Sequence, residues 1–187
     1  MVLALVLGGC SKSKEQIEAN IKSDSNRKKA PEISLKDANG DTVTLADYKG
    51  KVVLVNFWAT WCGPCKLEIP WFIEFEKNYK ERDFAVLGIS MDEDGWKSVT
   101  PFVASHKMTY RVVIGSDTVA QKFGEIDALP TSFILDRQGR IAAQHVGLVD
   151  KREYQNEILK LLDDPKSASV DGAAGGLLAG LLRPVGR

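Results

Sequence analysis

A chain of 187 residues, 44% hydrophobic and 27% charged, can bury one core of ordinary size and carry short appendages. Its 25 basic and 25 acidic residues cancel, which argues against a nucleic-acid binder and against an acidic solvating tail. Three cysteines are too few to staple a mini-protein, so the core must hold the fold and the cysteines are left for chemistry.

The first ten residues, MVLALVLGGC, run from a short apolar stretch into Leu7-Gly8-Gly9-Cys10. They resemble a bacterial lipobox, in which cleavage precedes the cysteine and its sulfur receives a diacylglycerol; the resemblance implies that Cys10 is lipidated. The stretch has no preceding Lys or Arg and is far too short to span a bilayer, so a hydrophobic terminus with an incidental cysteine is the plain alternative. Residues 11–30, SKSKEQIEANIKSDSNRKKA, are polar and nearly free of large apolar side chains. Such a segment buries too little surface to offset its ordering entropy, which predicts a flexible tether.

From Pro31 the pattern changes. EISLKDANGDTVTL alternates apolar and polar residues around Asn39-Gly40, which predicts a hairpin. KVVLVNFWA is a continuous β-branched and aromatic run, as a strand buried on both faces requires. CKLEIPWFIEFEKNYKER then places Leu67, Trp71, Phe72, Phe75 and Tyr79 at helical spacing, with Pro70 inside as a kink. FAVLGISMD predicts a second buried strand, GWKSVTPFVASHKM a helix and YRVVIG a short strand. DTVAQKFG reads as one or two helical turns closed by Gly124, and TSFILDRQGRIAAQHVG as a hairpin turning at Arg137-Gln138-Gly139. Residues 151–163 set Tyr154, Ile158, Leu161 and Leu162 on one helical face, and the Gly/Ala/Leu-rich tail from 166 to 187 is expected to fray or dock loosely. Strands alternating with helices and ending in a hairpin and helix predict an α/β domain over residues 31–165, a mixed central sheet covered on both faces.

Three readings compete for Cys62 and Cys65 in FWATWCGPCK. A structural zinc site needs four ligands, and Cys10, His106 and His145 are scattered. A purely structural disulfide across two residues closes too small a loop to restrict the unfolded chain. A redox centre fits best: a strand running into Cys-x-x-Cys at a helix start sets the first sulfur against unpaired N–H groups and the positive end of the helix dipole, which favours thiolate. The second cysteine is then placed to attack a mixed disulfide.

VLVNFWATWCGPCK resembles the active-site strand and helix start of the thioredoxin superfamily, with Pro70 matching the proline that kinks its active-site helix. DALPTSFILDRQGRI resembles the superfamily's cis-proline segment, which implies a cis Leu129-Pro130 bond facing the cysteines. Trp61, Gly63, Pro64, Leu129, Pro130 and Thr131 would line the substrate groove, and backbone there could pair with an extended substrate. Where thioredoxin has a buried Asp this chain has Asn56, and its helix carries Glu68 instead. The Cys-x-x-Cys-x-x-Glu-x-Pro pattern, the opening hairpin and the added helix and strand near 95–114 are similar to the extracytoplasmic, membrane-anchored thiol-disulfide oxidoreductases of the TlpA/ResA type.

Glu68 can also be read from spacing. Three residues after Cys65 it shares that residue's helical face, where burial would raise its pKa toward the working pH and let it exchange a proton with Cys65. The bland alternative is a solvated helix glutamate. Trp58 reads as core, His106 and His145 as ordinary surface or partly buried histidines, and Asp92-Glu93-Asp94 as a solvated loop.

The expected reaction is reduction of a protein disulfide by a Cys62/Cys65 dithiol, with no cofactor and no metal; the Gly-Pro between the cysteines resembles the reducing members. A lipid-anchored monomer is expected; the family resemblance implies a place outside the cytoplasm, a membrane thiol donor, and apocytochrome c among its substrates. Two rivals share the fold. A peroxiredoxin-like peroxidase needs Pro-x-x-x-Thr-x-x-Cys, whereas Thr60 lies two residues before Cys62 and no proline occupies the required place. A Cu(I)-delivery protein, with His145 as a further ligand, usually spaces its cysteines by three residues.

Overall fold

The computed structural model describes residues 20–164. Cys10, the first part of the expected tether and the tail from 166 lie outside the described residues. The elements run β1 (Lys28–Lys29), β2 (Ser34–Lys36), β3 (Thr42–Thr44), β4 (Val52–Trp58), α1 (Gly63–Tyr79), β5 (Phe84–Ser90), α2 (Trp96–Ser105), β6 (Arg111–Ile114), α3 (Asp117–Lys122), β7 (Thr131–Leu135), β8 (Arg140–Val146) and α4 (Lys151–Leu162). Six strands form one sheet in the order β1-β8-β7-β4-β5-β6, and β2 and β3 form a separate hairpin. β4, β5 and β6 run parallel, while β7, β8 and β1 are antiparallel to their neighbours, so the sheet is mixed as the sequence predicts.

Every residue of β4 and β5 is buried, which is why both read as unbroken apolar runs. Alternation then divides β4 between two cores. Val52, Leu54 and Trp58 pack with Ile69, Phe72 and Phe75 of α1, Val99 of α2 and Tyr154, Ile158 and Leu161 of α4. Val53, Val55 and Phe57 pack with Val119 of α3, Phe123, and Ile33 and Val43 of the hairpin. Phe57 sits edge-on to both Phe123 and Phe133, at 5.1 and 6.0 Å. The hairpin turns at Gly40, whose φ of 83° is the left-handed conformation an Asn-Gly turn supplies.

Two expectations need correction. Leu67, expected on the apolar face of α1, is 56% exposed; the buried stripe runs through Cys65, Glu68, Ile69, Phe72 and Phe75. Residues 20–30, expected to belong to the tether, are instead fastened to the domain. Lys28 and Lys29 pair with Ile141 and Arg140 of β8, and Ala30 is buried. The Arg27 side chain, 6% exposed, reaches the buried Asp136 carboxylate at 3.2 Å. Backbone pairing, one buried ion pair and the contacts of Ile21 and Ala30 hold a stretch whose lysines stay in water, so its hydrophobic signature is weak.

Candidate active site

The central strand delivers the reactive residues. At the end of β4 the Trp58 carbonyl accepts from Met91 N–H at 2.8 Å, and the chain then turns through Ala59-Thr60-Trp61. Asp92 holds this turn: it accepts from the Thr60 amide at 2.9 Å, the Thr60 hydroxyl at 2.5 Å and the Ser90 hydroxyl at 2.8 Å. Asp92 is buried, which corrects its reading as part of a solvated loop, although Glu93 and Asp94 are exposed.

Cys62 is the N-cap of α1, and its sulfur accepts from the Cys65 amide at 3.2 Å. Cys62 and Cys65 are joined as a disulfide, with Gly63 and Pro64 exposed between them and Trp61, 69% exposed, just before. Within α1, Pro70 has no N–H to offer the preceding turn, the source of the expected kink. A hydrogen-bond donor and the positive helix end both favour negative charge on the Cys62 sulfur once the disulfide opens.

Leu129-Pro130 is cis. Thr131 lies opposite Phe57 in the β4–β7 register, so Pro130 stands one step further on, at the same end of the sheet as the cysteines. Leu129 packs against the core cluster that contains Cys62 and Cys65, and Thr131 is buried with its hydroxyl bonded to the Ala128 carbonyl at 2.7 Å. The Pro130 carbonyl accepts from Gly147 N–H at 2.7 Å, tying this segment to the end of β8.

Glu68, one helical turn beyond Cys65, is 0% exposed. Its Oε1 accepts from the Tyr154 hydroxyl at 3.0 Å, while no donor among the described residues closes a hydrogen bond on Oε2. Burial pushes the Glu68 carboxyl up to about 7, against the opposing pull of the Tyr154 hydroxyl, His145 and, most weakly, the Val149 backbone. The same burial, with Glu68 beside it, holds Tyr154 neutral far above the usual phenol range. Ser132 is a further hydrogen-bond partner of Tyr154, and Asn56 donates to Ser132 Oγ at 3.0 Å. A polar chain therefore runs Asn56–Ser132–Tyr154–Glu68 through an otherwise apolar layer.

His145 is buried rather than superficial, and Glu157, fully buried, was not foreseen. Its Nε2 lies 2.7 Å from Glu157 Oε2 and its Nδ1 3.8 Å from Glu153 Oε1. Burial opposes the imidazolium, but the Glu157 hydrogen bond and charge, with help from Glu153 and Glu68, outweigh it and raise the His145 pKa. The three side chains could meet around a cation; each imidazole nitrogen faces a carboxylate. Phase could have exposed Glu157: it falls among Tyr154, Ile158 and Leu161 on the buried stripe of α4. His106 stays on the surface, stacked on Phe102 at 3.8 Å. A cavity of about 830 Å³ lined by Val53, Leu135 and residues of the β2–β3 hairpin opens at the other end of β4, away from the disulfide.

A Cys-Gly-Pro-Cys disulfide capping a helix on a mixed sheet, with a cis-proline beside it, defines a thioredoxin-like thiol-disulfide oxidoreductase. The chain belongs to the Redoxin family, whose profile matches residues 25–161. It is 35% identical over 131 residues to the thioredoxin-like protein YneN of Bacillus subtilis, covering 69% of this chain and 76% of that one. It is 32% identical over 134 residues to the thiol-disulfide oxidoreductase ResA of Bacillus cereus, covering 72% and 77%. Among solved structures, a thiol:disulfide interchange protein of the thioredoxin family from Chlorobium tepidum superposes with a TM-score of 0.67 at 30% identity, covering 75% of this chain and 99% of that one.

Proposed function

We propose that the protein reduces disulfides of extracytoplasmic proteins, apocytochrome c among them, and that Glu68 carries the proton of the resolving thiol. Cys62 thiolate attacks one sulfur of the substrate disulfide, forming a mixed disulfide and releasing the first substrate thiolate. Cys65 then gives its proton to the Glu68 carboxylate and attacks the Cys62 sulfur. The second substrate thiolate leaves, and the Cys62–Cys65 disulfide remains, two electrons having passed to the substrate. A membrane thiol protein restores the dithiol; no cofactor is needed. The chain acts as a monomer held to the membrane through lipidated Cys10.

One observation carries this reading: a buried carboxyl, bonded by the Tyr154 hydroxyl, stands one helical turn beyond the buried cysteine. Trp61, Leu67, Val146 and Leu148 are the exposed large apolar side chains among the described residues, and they support a protein substrate. Trp61 and Leu67 flank the disulfide in sequence, and Val146 lies opposite Thr131 beside the cis-proline. Exposed apolar side chains next to the disulfide and the cis-proline suit an unfolded or extended segment. Equilibration against dithiothreitol or glutathione buffers tests the direction: a potential at or below about −250 mV supports a reductant, and one near about −120 to −180 mV refutes it. Thiol titration of Glu68→Gln tests the proton role, which an unchanged profile would defeat.

A further inference from the structure

We propose that His145, locked by Glu157, is a positioning residue for the redox centre: it seats Tyr154 against Glu68 and keeps a buried positive charge beside that carboxyl. The inference deepens the proton-carrier role of Glu68 proposed above and rests on it.

The geometry is a closed relay between two helices and the sheet. His145, on β8, packs edge-on to the Tyr154 ring with centroids 5.0 Å apart. Phe72 of α1 meets the same ring edge-on at 5.3 Å, so two rings steer the phenol whose hydroxyl ends on Glu68 Oε1. Three carboxyl groups face this imidazole: Glu157 and Glu153 from α4, and Glu68 from α1. β7 contributes Ser132, which lies opposite His145 in register and bonds the Tyr154 hydroxyl, and no charge.

Glu157 favours the cationic form of this histidine. The carboxylate is 0% exposed, its Oε1 has no hydrogen-bond partner, and His145 is its ion-pair partner among the described residues. Burying a carboxylate is costly unless an opposite charge stands at contact distance. The imidazolium that meets this need also lies near the second buried carboxyl, Glu68, and favours its ionised form. Glu157 thus fixes the charge of His145, and His145 acts on Glu68 both through the orientation of Tyr154 and through the field. The effect of His145 and Glu157 on thiol chemistry runs through Glu68 and is indirect.

His145→Gln alone would strand Glu157 and could unfold the protein, so the decisive variant is His145→Gln/Glu157→Gln, which leaves a neutral pair able to hydrogen-bond. Two titrations are followed in the reduced full chain: the Glu68 side-chain carboxyl by carbon NMR, and the thiolate absorbance of Cys62/Cys65. The double variant is expected to titrate Glu68 higher by about half a unit or more, with the thiol profile displaced in step. A folded double variant whose Glu68 midpoint stays in place overturns the inference, as does a midpoint that moves while the thiol profile does not. Glu68→Gln in the same series separates the two levels. If that variant leaves the thiol profile unchanged, the proton-carrier reading has failed; if it moves the profile and the double variant does not, only the role of His145 has failed.

Discussion

Replacing Glu68 with Gln should make the protein more stable, and increasingly so as the pH rises. The folded chain holds the Glu68 proton up to about pH 7, whereas an exposed glutamate releases it near 4.5. Between those values the folded state binds more protons than the unfolded one, so folding stability falls as pH rises. This cost is absent below about pH 4.5 and fully present above about pH 7. At about 1.4 kcal/mol per pH unit, the separation corresponds to about 3 kcal/mol. Gln keeps a carbonyl for the Tyr154 hydroxyl and loses the titration, so its stability relative to wild type should rise from near zero at pH 4.5 to about 3 kcal/mol at pH 8. Urea denaturation of both oxidised proteins at half-unit pH steps measures the difference directly, and titrating groups not coupled to Glu68 cancel to first order. Parallel stability curves, or a Gln variant that is less stable throughout, would refute the reasoning, because Glu68 would then be solvated or already compensated.

Tyr154→Phe removes the hydroxyl that donates to Glu68 Oε1, so the carboxyl should titrate above its present value of about 7, and folding should lose about 1–3 kcal/mol, checked by carbon NMR and denaturation. Asp92→Ala strips the Thr60 amide, Thr60 hydroxyl and Ser90 hydroxyl of their acceptor; we expect about 2–4 kcal/mol of destabilisation and slower insulin reduction by the surviving folded fraction. Gly88→Ala would set a methyl 3.0 Å from Trp58 Nε1 and 3.2 Å from the Tyr110 ring, costing about 1–3 kcal/mol and perturbing Trp58 fluorescence.

Local signals carried far in this sequence, and their failures have a common cause. β4 and β5 were legible because burial on both faces leaves no polar register to interrupt the run. Cys62, Cys65, Pro70 and Glu68 lie within one helix start, where spacing alone fixes which groups share a face. The partner that gives Glu68 its chemistry is 86 residues away, and Tyr154 looked like any aromatic on an apolar stripe. Asp92 stood between Met91 and two solvated acids, so its neighbours disguised it; what it holds is the turn at Thr60, 32 residues earlier. Arg27 and the two lysines of β1 are ordered by backbone pairing and by Asp136, contacts that leave no trace in hydropathy. His145 reads as an ordinary histidine and Glu157, twelve residues on, as one more helix glutamate; only the packing of α4 on β8 makes them a pair.

The two-residue strand β1 has a further consequence. A sheet edge is a template on which another extended chain can build, and a long apolar edge invites aggregation. Here one edge is closed by a strand of two exposed lysines, too short and too charged to seed a neighbour. The other edge, β6, is met by the hairpin through the Asp37–Val113 bridge and the Asp37–Arg111 ion pair. A catalyst whose proposed substrates are unfolded chains works among the very molecules most ready to add strands to it, and blunted edges let it hold them at its disulfide without being drawn into their aggregates.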